Sequence, residues 1–288
     1  MTLSRRQVRD VLDRHGLRPS RALGQNFVVD ANTVRRIARL SGVEPGAQVV
    51  EIGAGLGALT LALVETGAQV TAVEVDRGLV PLLRSEVEPH GVRVVEADAL
   101  TLDWDELLAG TAAQRRHAPW AMVANLPYNV AVPVVLRCLD EAPAVTSMLV
   151  MVQREVGERL AAGPGDKAYG AVSVKVVYHA TARVVGRVPA SVFVPRPAVE
   201  SVLVRIERRA AVAVDPGVVP AARLFELVRA GFGHRRKMLR QSLAGVVTPD
   251  AFGAAGVDPE ARAENLGVED WGRLAACAPD PSADPSAL

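Results

Sequence analysis

Cysteine is almost missing from this chain. Cys138 and Cys277 stand far apart in 288 residues and match no metal-binding or redox spacing, which excludes a disulfide framework and makes a reduced, cytoplasmic home the expectation. Long hydrophobic runs are missing too. No stretch of about 18 apolar residues occurs, and Met1–Asp10 carries three arginines and no apolar segment, so neither a membrane-spanning helix nor a secretory signal is expected. The five histidines form no cluster, and no metal site is expected. Lysine is rare: only Lys167, Lys175 and Lys237 stand among 33 basic residues. Genome composition produces that arginine bias as readily as phosphate binding does. Aromatic residues are few, with five Phe, three Trp and three Tyr, so one standing in a suspected site carries weight.

What is present is an uneven charge on a nearly neutral chain. Residues 1–40 hold nine arginines against Asp10, Asp13 and Asp30, a net +6. Residues 205–240 hold eight arginines and Lys237 against Glu207, Asp215 and Glu226, again a net +6. Two basic segments suit a polyanion held at defined places, and equally suit solvated charged faces; charge alone leaves both open.

The length suits one large core and a smaller second one. Gln48–Ile52, Gln69–Val75, Val92–Glu96, Trp120–Ala124 and Met148–Val152 are nearly continuous hydrophobic runs. Runs without polar alternation belong to a parallel sheet covered on both faces. Between them Ala58–Glu65, Gly78–Val87 and Val132–Leu139 have helical spacing. The expected fold is therefore α/β, a doubly wound Rossmann-like sheet with a small α-helical domain at the carboxyl end. Val172–Val188 and Ser201–Ile206 read as further strands, an antiparallel finish to the sheet. Before the core, Arg5–His15 and Asn32–Leu40 read as short basic helices, the second capped by Asp30 or Asn32. After Ile206, Ala211–Pro220 reads as a linker, and Ala221–Gly231, Arg235–Ala244, Pro259–Asn265 and Glu269–Cys277 read as helices. The expected domains are 1–207, with the sheet and the basic N-terminal helices, and 208–277, helical; 278–288 is expected to be a disordered tail.

The most informative four residues are Asn125-Leu126-Pro127-Tyr128, between a strand-like and a helix-like run. An amide carbonyl, proline-fixed backbone carbonyls and a ring suit an exocyclic amine on a flat base, and point to methylation of a nucleobase amine. Taken alone they are also an ordinary strand-to-helix turn. Glu51-Ile52-Gly53-Ala54-Gly55-Leu56-Gly57 marks the first strand's end, where glycines let backbone approach a ligand and a helix start offers free N–H groups. With Ala58 it also fits the relaxed dinucleotide fingerprint, so a nicotinamide enzyme has to be weighed. Glu74 ends the second strand, where a carboxylate can accept ribose hydroxyls for either cofactor. Asp98 follows the third strand and could accept an adenine amino group, and Asn125 follows the fourth. Gly53, Glu74, Asp98 and Asn125 thus end four successive strands and can ring one crevice, which S-adenosylmethionine (SAM) fits best.

Further segments carry a resemblance. Leu23-Gly24-Gln25-Asn26-Phe27, the Glu51–Gly57 loop, Asn125–Tyr128, Ala162-Gly163-Pro164 with Lys167-Ala168-Tyr169-Gly170, and Phe193-Val194-Pro195 occur in order. His234-Arg235-Arg236-Lys237 with Arg240 and Ser242-Leu243, and Arg262-Ala263-Glu264-Asn265, follow. In these segments, from about Arg18 to Ala276, the chain resembles the ribosomal RNA adenine N6,N6-dimethyltransferases of the KsgA/RsmA type. It departs from them at Ala54, where many have proline, at Val28, where leucine is frequent, and at Pro195-Arg196-Pro197-Ala198-Val199, which replaces a more proline- and lysine-rich run.

The resemblance implies dimethylation of two adjacent adenosines in a hairpin near the 3′ end of small-subunit (16S) ribosomal RNA, on the assembling small subunit; apart from the resemblance, a monomer that touches no membrane is expected. It implies that Asn26 and Val28 contact SAM from an amino-terminal lid, with Gly53, Gly55, Glu74, Asp98 and Asn125 completing the site. The Asn125 side-chain oxygen and the Leu126 carbonyl would accept the two N6 hydrogens, beside Pro127. Tyr128 would stack on the flipped base and Phe193 could close its other face. Arg235, Arg236, Lys237 and Arg240 are expected on one basic helix that contacts phosphates, with Arg5, Arg6, Arg9, Arg18 and Arg21 adding to it. The alternatives are a 23S rRNA adenine methyltransferase of the macrolide-resistance type and an assembly factor that keeps the fold without essential catalysis. A DNA adenine methyltransferase is disfavoured, because its usual motif begins Asp/Asn-Pro-Pro.

Overall fold

The computed structural model describes residues 4–20, 22–109 and 119–279; the expectations for Arg21 and for the tail from residue 280 fall outside these. The chain divides into two compact units, Met1–Gly157 with Ala182–Arg208, and Glu158–Thr181 with Arg209–Leu288.

The first unit is built on a seven-stranded sheet, in order β4 (Arg93–Glu96), β3 (Gln69–Glu74), β2 (Gln48–Ile52), β5 (Trp120–Asn125), β6 (Val145–Gln153), β9 (Ser201–Arg208) and β7 (Ala180–Val188). The first five run parallel, and β9 is antiparallel to β6. Every residue of β2 is buried, as a central strand covered on both faces requires. The chain steps outward from β2 to β3 to β4, then returns to place β5 on the other side of β2. That reversal leaves a crevice beyond the carboxyl ends of β2 and β5.

The crossover helices are α3 (Ala58–Val64), α4 (Val80–Val87), α5 (Trp104–Leu108) and α6 (Ala131–Glu141), followed by α7 (Arg154–Ala161), which starts in this unit. Two basic helices precede them, α1 (Arg5–Arg14) and α2 (Ala31–Ser41). Ser4 and Gln7 form a capping box at the start of α1, and the Asp30 carboxylate accepts the Asn32 N–H at the start of α2. On α1 the buried Val8 and Leu12 lie one turn apart and join a cluster with Phe27, Leu56, Leu79 and Val194. A two-stranded ribbon of β1 (Phe27–Val28) and β8 (Phe193–Val194) pairs Val28 with Phe193 and ties the segment after α1 to the body of the unit.

The second unit contains α8 (Ala171–His179), α9 (Ala221–Gly233), α10 (Leu239–Ser242), α11 (Pro249–Ala255) and α12 (Val268–Cys277) around a core that includes Tyr169, Tyr178, Leu224, Phe252 and Trp271. Four expectations change here. Residues 171–179 are a helix, not the first part of a strand, and 158–181 group with this unit, β7 of the sheet starting at its last two residues. Their β-branched run favours a strand locally, but Val174 and Tyr178, one helical turn apart, bury against Leu224 and Phe225, and that tertiary burial overrides propensity. The expected helix 235–244 shrinks to α10. The Met238 backbone pairs with Arg262 instead, and the Leu239 N–H donates to the Ala261 carbonyl, so main-chain groups that a longer helix needs are used elsewhere. Residues 259–265 likewise form turns and one short 3₁₀ segment (Ala263–Asn265) rather than a helix.

Candidate active site

The crevice at the switch point is a cleft of about 90 Å³, widening to about 970 Å³ when its open mouth is counted. The glycine turn after β2 forms its floor. Gly53 and Gly55 have φ of +75° and +59°, a region side-chain-bearing residues enter only with strain. A Cβ on Gly55 would also lie 3.2 Å from the Phe27 ring. Glycine here lets the backbone and the Phe27 ring approach each other closely.

Glu74 ends β3 against this turn and is 5% exposed. Its carboxylate accepts the Gly55 N–H at 2.7 Å and the Val75 and Asp76 N–H groups at 3.0 and 2.9 Å. Burial raises its pKa, and the three N–H groups partly offset that. Of about four acceptor positions on a carboxylate, one remains for a ligand hydroxyl. Val75 lines the cleft beside it and is 42% exposed, an apolar shelf for a flat ring.

The amino-terminal lid is fastened from three directions. The Asn125 Nδ2 donates to the Asn26 carbonyl at 3.0 Å, and the Asn129 Nδ2 donates to the Ala22 carbonyl at 3.0 Å. The Gln25 Nε2 donates to the Asp76 carboxylate at 2.6 Å. A backbone carbonyl can only accept, so the amide nitrogen of Asn125 must face Asn26, and its oxygen is the end left for a ligand. Leu126 is buried, with its N–H on the Met151 carbonyl, which anchors the turn to β6. Pro127 packs toward Gly53, 3.5 Å from where a Cβ would stand. The Tyr128 hydroxyl is 3.0 Å from the Ser201 hydroxyl, and burial raises its pKa, so the ring is held in place and neutral.

The structure therefore brings Asn26, Val28, Gly53, Gly55, Glu74, Asn125, Leu126, Pro127 and Tyr128 to one cleft. Two residues expected there are elsewhere. Phe193 is fully buried in the sheet's core cluster with Val28, Ile37 and Leu203 and does not line the cleft. Its pairing with Val28 makes it an anchor for the lid. Asp98 also stands outside the lining: it is exposed, and its carboxylate accepts the Leu100 N–H at 2.8 Å. It follows β4, the outermost parallel strand and the farthest from the switch point. Several lining or supporting residues carried no sequence expectation, among them Val8 on α1, Val75 after β3, Glu86 on α4, Ser201 behind Tyr128, and the side chain of Glu51. Glu51 did leave a signal, being an acid inside an otherwise apolar strand.

In the second unit the basic residues 235–240 do not share a helix face. Arg235 pairs with Glu264 at 2.9 Å and donates to the Lys167 carbonyl, and Arg240 pairs with Glu260 at 3.4 Å. Arg236 and Lys237 are exposed on the turn between α9 and α10. Among the described residues no helix is long and apolar enough to cross a membrane, and no group of three His, Cys, Asp or Glu could hold a metal ion.

A family model described as ribosomal RNA adenine dimethylase matches residues 17–279. The chain is 49% identical to the ribosomal RNA small subunit methyltransferase A of Leifsonia xyli, over 94% of this chain and 96% of that one. It is 48% identical to the protein of the same name from Kineococcus radiotolerans, over 96% and 92%. Among solved structures it is similar to the 23S rRNA methyltransferase ErmE, with a TM-score of 0.66 and 27% identity over 87% of this chain and 98% of that one. A dimethyladenosine transferase from Plasmodium falciparum shares the fold, with a TM-score of 0.71 at 21% identity over 86% and 95%.

Proposed function

The chain belongs to the ribosomal RNA adenine dimethylase family, a SAM-dependent rRNA methyltransferase family, and from that premise we propose that it dimethylates the N6 amines of two adjacent adenosines near the 3′ end of 16S ribosomal RNA on the assembling small subunit. The observation that carries the reading is Asn125. Its amide is turned by the Asn26 carbonyl so that its oxygen is presented to the cleft beside the Tyr128 ring.

The cleft fits the cofactor. Its lining holds Glu51, Glu74 and Glu86 and no Lys, Arg or His among the described residues, a setting for a cation, and its glycine floor leaves the space that a Cβ would fill. Gly53, Gly55, Glu74, Asn26 and Val28 would hold it. SAM, when bound, supplies an electrophilic methyl group on a sulfonium that leaves as a neutral thioether.

The N6 lone pair of adenine is delocalised into the ring, which makes the amine a poor nucleophile. The Asn125 oxygen and the Leu126 carbonyl accept its two hydrogens, favour a pyramidal nitrogen and aim the lone pair at the methyl group. Pro127 and the Leu126–Met151 hydrogen bond keep those acceptors in place before the base arrives, so positioning and preorganised acceptors carry the catalysis. Tyr128 stacks on the base taken from its helix, a contact of about 1–3 kcal/mol. The first product keeps one N–H, so rotation of the base presents it for a second transfer. Arg236 and Lys237 meet phosphates, while Arg235 and Arg240 brace the turn that presents them.

The full-length relatives at 48–49% identity favour the small subunit over the 23S alternative, whose representative ErmE stands at 27%. To test the reading, the protein is incubated with radiolabelled SAM and separate ribosomal subunits from cells lacking both modifications. N6,N6-dimethyladenosine confined to the small subunit is the expected result. Label on the large subunit instead refutes it.

A further inference from the structure

One ionisable group in the cleft has no part in the chemistry above. Glu51 sits near the carboxyl end of β2, 1% exposed, and lines the cofactor end of the cleft. Its Oε2 accepts the Thr60 hydroxyl at 2.5 Å, the one hydrogen bond its side chain makes among the described residues. The charges around it are all of one sign. From β3, Glu74 faces it as a second buried carboxyl; from α4, the exposed Glu86 stands at the rim; α3 contributes only the Thr60 hydroxyl, and β5 has no ionisable side chain. No basic side chain lines the cleft among the described residues. Two carboxylates in one low-dielectric wall without a counter-charge cannot both ionise cheaply.

Building on the assignment of this cleft to SAM, we infer that Glu51 is a charge-matching positioning residue: it is a neutral acid in the empty cleft, loses its proton to solvent when the sulfonium cofactor binds, and regains one when the neutral thioether product is left. The carboxylate is then the protein's half of an ion pair that only the methyl donor completes. S-Adenosylhomocysteine (SAH) keeps the amino-acid ammonium and carboxylate, whose charges sum to zero, but lacks the sulfonium, so it brings no net positive charge for Glu51 to match. The balance closes over a turnover. Binding sends the Glu51 proton to solvent, transfer consumes the sulfonium charge, the methylated amine releases one proton, and Glu51 takes one back. The arrangement makes the cleft hold donor more tightly than product.

The direction agrees with the electrostatics of the empty cleft. Burial, and less strongly the neighbouring Glu74, raise the Glu51 carboxyl to about 8, against the opposing pull of the Thr60 hydroxyl. Below that pH, SAM must displace a proton, so its affinity rises with pH, by up to about tenfold per unit, and levels off above it. SAH affinity has no such slope from this group.

The test is calorimetric titration of the whole protein with SAM and with SAH between pH 6 and 7.5, in buffers of different ionisation heat, using wild type and Glu51→Gln. Gln keeps an acceptor for Thr60 and matches the neutral acid in shape, and it carries the ligand's own titration as the control. Wild type is expected to release most of one proton with SAM at pH 7 beyond what Glu51→Gln releases, and none beyond it with SAH. Its preference for SAM over SAH should grow as pH rises, and that growth should vanish in Glu51→Gln. Equal proton release and equal pH slopes in the two proteins would overturn the inference while leaving the cofactor assignment standing. Wild type that binds neither SAM nor SAH would remove the assignment itself and the inference with it. Should Glu51→Gln not fold, wild type alone decides: SAM and SAH must differ in proton release, and the same release for both overturns the inference.

Discussion

Substituting Phe193 separates two roles that its position in the chain leaves open. A ring that stacks on the target base must reach the cleft; this one is wholly buried among Val28, Ile37 and Leu203, on a strand paired with the lid. Phe193→Ala should therefore act through stability. Removing a fully buried Phe side chain costs about 3–5 kcal/mol. For a unit of this size each kcal/mol lowers the melting temperature by about 2–4 °C, so a loss of about 6–20 °C is expected. Phe193→Leu keeps most of the apolar volume and should cost less than about 1.5 kcal/mol. The assay pairs thermal melts with methyl transfer measured well below the melting temperature and normalised to folded protein. On the structural account Phe193→Leu keeps near-normal turnover and RNA affinity. If Phe193→Leu melts like wild type but loses turnover about tenfold or more, the ring reaches the base and the reasoning fails.

Asn125→Asp replaces the amide nitrogen that faces the Asn26 carbonyl with an acceptor, so the lid loses a strap and two oxygens oppose each other. Turnover should fall about 10²–10³-fold, as when one preorganised polar group is lost, with little change in melting; near-normal single-turnover rates would count against the assigned orientation. Gly55→Ala puts a Cβ at a φ of +59°, a backbone strain of about 1–2 kcal/mol, and 3.2 Å from the Phe27 ring, a close contact that is relieved by lifting the lid. SAM affinity by titration should drop about tenfold, and an unchanged value would mean that the lid does not shape the site. The double substitution Arg236→Gln with Lys237→Gln should leave SAM affinity alone and weaken RNA binding. The slope of log affinity against log salt should shrink by about 1.4 if both side chains meet single-stranded phosphates, and an unchanged slope would rule both out.

Much of the first unit was legible in the chain because its signals are local. The β2 run, the glycine turn after it and the acid ending β3 each encode a backbone state within a few residues, and their order along successive strands places them at one end of a parallel sheet. Val172–His179 has the β-branched run of a strand but folds as a helix. Residues 235–244 have helical spacing, but hydrogen bonds from 238–240 to residues 259–262 cut the helix short. In both places the deciding contacts come from far along the sequence.

The division at the site follows the same line. The sequence by itself determined which chemical groups stand at the strand ends: an amide ending β5 with a ring just beyond it, glycines after β2 and a carboxylate ending β3. Only the tertiary structure decided their states. Asn125 is oriented by a carbonyl 99 positions away, Tyr128 is held by a hydroxyl 73 positions away, and Phe193 is withdrawn into the core by a strand pairing with residues 27–28. Burial, and less strongly Glu74, raise the Glu51 carboxyl in a wall that holds no basic side chain among the described residues. Residue type and backbone turn are local properties. Burial, amide orientation and protonation depend on every group that folding brings within a few ångströms, and those groups are scattered along the whole chain.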